Sequence, residues 1–167
     1  TATPGRDLKG TLTLTTNGSQ LSRLLMFVSR QFRAAWDESY RSIAKFYTGW
    51  CLYQLKQYGP GMVWLNRYTR SEPVEPHPGA LPAAWRAFAA CARALNQVQD
   101  EQAALLAAVR IDPDGDGNDW LRLFEILREL QPDSYERAED YLTHAMRLLP
   151  ERVEQLKPLG VEHGDRG

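Results

Sequence analysis

The sequence predicts an all-α protein of about seven or eight helices, stacked as antiparallel pairs, with almost no sheet. Apolar residues recur at helical spacing along most of the chain from Ser19 onward. Proline and glycine gather between or at the edges of those runs, as in Tyr58-Gly59-Pro60-Gly61 and Gln131-Pro132-Asp133-Ser134. A large–small spacing also repeats. Trp85, Phe88, Ala89, Leu105, Ala108 and Pro113 are followed in the same order by Trp120, Leu123, Phe124, Leu127, Ala138, Leu142, Ala145 and Pro150.

Taken in order, residues 1–18 form a tail or arm whose strand-like part is Thr11-Leu12-Thr13-Leu14-Thr15. Asn17-Gly18-Ser19 reads as a turn in which Ser19 caps a helix over about 20–35, with Leu21, Leu24, Leu25, Val28, Phe32 and Ala35 on its apolar face. Asp37 and Ser39 open the next helix, about 38–57, on the stripe Ile43-Ala44, Tyr47-Thr48, Cys51-Leu52 and Leu55. A helix follows at about 60–70. The four prolines between Ser71 and Pro82 then make an extended connector. Helices at about 82–97, 101–111, 119–130 and 134–149 come next, and a short one at about 151–157 precedes a polar tail over 158–167. Residues 19–157 thus read as one helical domain.

A chain of 167 residues can bury a core without metal or disulfide staples. Net charge is -1, which provides no global field for nucleic acid or an acidic membrane. Sixteen of the twenty cations are Arg, a side chain whose planar fork suits carboxylates. No apolar run reaches the roughly 18–20 residues of a membrane-spanning helix. The chain begins with Thr and carries no visible signal peptide or lipidation motif, which fits a processed product or a piece of something larger. Its two cysteines, Cys51 and Cys91, stand two residues after Gly49 and Ala89, and are expected to be free and buried. Compartment is not resolved.

The repeated spacing resembles the tetratricopeptide repeat over about 42–150, in units of about 42–70, 82–115 and 118–150. Small residues at Gly49, Ala89 and Ala138 admit a neighbouring helix. Trp85, Phe88, Leu52 and Tyr135 fill gaps, while Pro113 and Pro150 close second helices. Glu101 departs from the pattern by standing where a small residue belongs, and Phe124 replaces the small residue of the last pair. The resemblance implies a short right-handed superhelix. It also implies a non-enzymatic interaction module whose first helices line a groove for a peptide or helical segment of a protein partner.

That groove would carry Phe46, Trp50 and Tyr53 from one helix, Arg86 and Arg93 beside small Ala90 from the next, and Arg128 from the third. Such a set suits an apolar anchor plus a carboxylate. The competing reading packs Trp50 and Tyr53 on the helix containing Phe27 and Phe32. Asp112, Asp114 and Asp116 alternate like the start of a calcium loop, but Leu123 stands where a bidentate acid should finish it. An acidic turn with Asn118 or Asp119 as helix cap is the simpler reading. His77, His144 and His163 have no metal-ligand spacing, and no catalytic motif or cofactor signature occurs. The alternative function is a structural or calcium-responsive helical domain of a larger protein, and self-association stays open.

Overall fold

Helical periodicity winds residues 37–54 into α1, the first helix of the computed structural model, which describes residues 37–71 and 73–164. Six more follow: α2 (Tyr58–Thr69), α3 (Ala80–Ala94), α4 (Val98–Ile111), α5 (Gly117–Leu130), α6 (Tyr135–Leu148) and α7 (Val153–Gly164). A single 3-10 turn, Pro150–Arg152, leads into α7. No strand occurs among the described residues, and the fold is all-α. The arm over 1–18, the helix over about 20–35 and the tail beyond 164 lie outside the described residues. Apart from residues 37–39 at the start of α1, the helices treated below belong to the unit Tyr40–Gly167.

Consecutive helices pack on one another in adjacent pairs. In α1 and α2 the register is antiparallel: Gly49 meets Leu65, Phe46 meets Tyr68, and Ser42 accepts a hydrogen bond from Val74 N at 2.9 Å. The small residue at Gly49 is what permits this approach. A Cβ there would lie 2.8 Å from Leu65 Cγ and 2.9 Å from the Leu65 backbone nitrogen. One turn before Leu65, Gly61 sits against both Tyr53 N of α1 and the Cys91 thiol of α3, so α2 packs on both helices.

The turns repeat as well. Lys56 and Asn96 are both left-handed, with φ of 59° and 57°. Gln57 N donates to Leu52 O, and Gln97 N donates to Ala92 O, each at 2.9 Å. These hydrogen bonds reach five residues back and satisfy carbonyls at the ends of α1 and α3, the first helices of the first two pairs. The α5–α6 link, with four residues (131–134), is one longer than the three of the other two links, where two extra had been expected.

The core runs through the pairs: Leu65 and Tyr68 of α2, Ala84, Phe88, Cys91 and Ala92 of α3, and Ala104, Leu105 and Val109 of α4. It continues through Leu123, Ile126 and Leu127 of α5 to Ala138, Leu142 and Ala145 of α6. Leu156 brings α7 onto this end. Pro82 falls inside the first turn of α3 rather than ending the connector, because a first-turn residue needs no amide hydrogen bond. The last helix is longer than expected, continuing through Pro158. Tyr135, expected to fill a gap, is exposed at the start of α6.

The expected stripe on α1 is corrected too. Ser42, Phe46 and Gly49 are its buried residues, whereas Tyr47 is 47% and Leu55 68% exposed. Gly49 decides the matter: only on its side can α2 come close, and Phe46 stands almost one turn before it on the same side.

Candidate functional site

The first cleft lies where α3, α4 and α5 meet. Helical spacing puts Arg86, Ala89, Ala90 and Arg93 along one side of α3, and Leu105 of α4 supplies an apolar wall. Asn118, Asp119 and Arg122 from the first turns of α5 complete it, with Glu101 of α4 at the base. Its volume is about 180 Å³.

Two arginines hold this cleft together. Arg86 Nε donates to Asp119 Oδ2 at 2.6 Å and its Nη2 to Asp112 Oδ2 at 3.0 Å. Arg122 grips Glu101 with both prongs, Nε to Oε1 at 2.7 Å and Nη2 to Oε2 at 3.0 Å, while Nη1 reaches Glu125 at 3.0 Å. Glu101 has a side chain only 3% exposed, so its charge requires these bonds. Arg93 differs: its side chain is 62% exposed and its Nε lies 3.9 Å from Glu101.

Protonation equilibria follow this geometry. Hydrogen bonding to Glu101 raises the Arg122 pKa against the opposing effect of burial. Burial also works against the charge of Arg86, but its bonds to Asp119 and Asp112 outweigh it and the pKa rises. Asp119 moves up as well, chiefly through burial, with Asp116 and Asp112 adding to it and Arg86 opposing it. The two directions agree physically. Arg86 has two carboxylates for one guanidinium, whereas Asp119 shares that guanidinium with a neighbouring acid.

A second cleft of about 440 Å³ lies between α5 and α7, lined by Phe124, Glu125, Arg128, Glu129 and Leu159. Arg128 rests over the Phe124 ring, 5.4 Å from its centroid, where the ring quadrupole attracts the cation.

Of the residues expected in a groove, Arg86 and Arg93 line the first cleft and Arg128 the second. Arg86 is committed to two carboxylates of its own chain. Phe46 is withdrawn: it is 2% exposed, stacked on Trp50 at 5.9 Å and tilted against Tyr68 at 5.3 Å. Burial leaves no face of that ring for a partner. Trp50 and Tyr53 are half-buried against the core and line neither cleft. Sequence reasoning missed Glu101, Asp119 and Arg122. An acid standing in a slot reserved for a small residue was the available signal, since it demands a cation nearby.

The acidic segment is a structural turn. Asp112 binds Arg86, and Asp114 accepts from Arg147 Nη2 at 2.6 Å. Asp116 caps α5, accepting from Asn118 N at 2.9 Å, so the cap is Asp116 rather than Asn118 or Asp119. No group of His, Cys, Asp and Glu suited to a metal ion occurs among the described residues. His77 and His144 sit apart: His77 meets the Phe46 ring edge-on at 5.6 Å, and His144 stacks on Trp120 at 4.5 Å. Cys91 is buried as expected, but Cys51 is exposed, and both are free. Among the described residues no helix is long and apolar enough to cross a membrane.

The architecture therefore defines an all-α stack of helix pairs with clefts on its α5 flank. No family model matches the chain, and no curated protein matches it.

Proposed function

We propose that this chain is a non-enzymatic protein-interaction module of tetratricopeptide type, which takes a segment of a protein partner against α3 and α5. The observation that carries this reading is the first cleft. Part of its wall is small or apolar (Ala89, Ala90, Leu105), the Glu101–Arg122 pair closes its base, and its rim holds an arginine with most of its side chain in solvent. Small side chains leave room for an incoming one, and a rim cation can complete a polar contact at its edge. The repeated turns at Lys56 and Asn96 support the repeat assignment.

The test is a peptide array probed with the labelled chain and with Ala90→Arg, which fills the cleft without touching the core. Bound peptides should lose about tenfold or more in affinity on the substitution, while the melting temperature stays unchanged. Retention of every bound peptide by Ala90→Arg would refute the assignment of the cleft.

A further inference from the structure

We propose that the two clefts form one groove for an extended peptide bearing an acidic side chain and, three or four residues away, a basic one. This rests on the binding-module reading above and specifies its ligand. Continuity comes from α5, which borders both clefts. Arg122 lines the first and Glu125 the second, and the two side chains are joined at 3.0 Å.

Size selects the conformation. A helix is about 10–12 Å across with its side chains, and the first cleft, at about 180 Å³, takes one side chain rather than a helix. It is also smaller than the roughly 300–1,000 Å³ of ordinary small-molecule pockets. An extended backbone passing over the opening and inserting one side chain fits it.

Charge selects the composition. The first cleft has three arginines against two carboxylates, and Arg93 is the exposed member. The second reverses this, with two glutamates against one arginine. There Arg128 rests on the Phe124 ring, and Glu129 is exposed with no ion-pair partner among the described residues. A ligand matching both ends carries a carboxylate at Arg93 and a cation at Glu129.

Spacing follows from helix geometry. Arg93 and Arg122 face the same Glu101 oxygen, at 3.9 and 2.7 Å, so Arg122 marks the place of the acidic end on α5. Glu129 is seven residues on, two turns further along the same side of α5 and about 10 Å away along its axis, and an extended chain at roughly 3.3–3.6 Å per residue covers that and the short offset to Arg93 in three or four residues.

The probes are labelled heptapeptides carrying one Glu and one Lys three or four residues apart, in both orders. Controls are versions with either charge replaced by Gln, uniformly acidic versions, and a helix-locked version. Binding is read by fluorescence anisotropy at low and high salt. One charge order should bind at least about tenfold more tightly than its neutralised forms. Arg93→Glu and Glu129→Arg should each remove most of that gain, and the double variant should prefer the opposite order. Both positions are exposed, and melting temperatures verify folding. Binding that is indifferent to charge order, or strongest for the uniformly acidic or helix-locked peptide, overturns this inference and leaves the binding module standing. If no peptide of any composition binds, both readings fall.

Discussion

Glu101 on α4 and Arg122 on α5 meet through two parallel hydrogen bonds of 2.7 and 3.0 Å, with the carboxylate almost wholly buried. This pair joins the second helix pair to the third, at the base of the first cleft. Its carboxylate stands at a position where the sequence spacing had led to the expectation of a small residue. Removing one partner strands the other. Glu101→Ala should lower stability by about 2–4 kcal/mol, because Arg122, mostly buried, loses two of its three hydrogen bonds and keeps only the one to Glu125. Replacing both, as Glu101→Ala with Arg122→Leu, should recover most of that loss, as read from urea midpoints.

Gly49 and Gly59 offer a paired comparison. Gly49→Ala drives a methyl into the Leu65 side chain and backbone, so a loss of about 1–3 kcal/mol is expected. Gly59, in the first turn of α2, has nothing within 4 Å of an added Cβ. Gly59→Ala should therefore be neutral or stabilise by up to about 1 kcal/mol, because alanine loses less backbone entropy on folding. Thermal unfolding of the two variants checks both signs.

Lys56 adopts a left-handed conformation, φ 59°, in the turn between α1 and α2. A β-carbon is strained there and glycine is not. Lys56→Gly should stabilise the fold by about 0.5–1 kcal/mol. The same change at Asn96 should contribute less, since asparagine tolerates this region better. Chemical denaturation of the two variants gives the comparison directly.

The thiols should separate by reactivity. Burial pushes the Cys91 thiol up to about 11, whereas Cys51 is exposed. One thiol should react with a disulfide reagent in the native protein at pH 8, and two in denaturant. Cys51→Ser should abolish the native reaction.

Alkaline stability follows from the same burial. Cys91 at about 11 and Tyr68 at about 12, the latter raised by burial and then by Glu75, both favour the neutral form in the fold. Their ordinary values are 9.0 and 10.0, so the associated stability is complete below about pH 9 and is lost as pH rises through 11 and 12. Urea midpoints should fall over that window, and Cys91→Ala should flatten the part between pH 9 and 11.

The sequence by itself determined a great deal here. Helical spacing and turn residues placed the paired helices, and the Gly49 slot correctly announced a close helix approach. Arg86, Arg93 and Arg128 came out on cleft-lining faces because a helix keeps residues three and four apart on one side. Only the tertiary structure decided which side of α1 is buried. That helix carries apolar residues on more than one face, and periodicity alone ranks them equally, whereas the approach of Leu65 onto Gly49 allows just one. The same holds for Glu101. Its carboxylate looks misplaced until α5 folds back and brings Arg122, twenty-one residues later, within bonding distance. A buried charge acquires its meaning from a partner that only packing supplies, so the paired helices were written in the sequence and the cleft was made by the stacking.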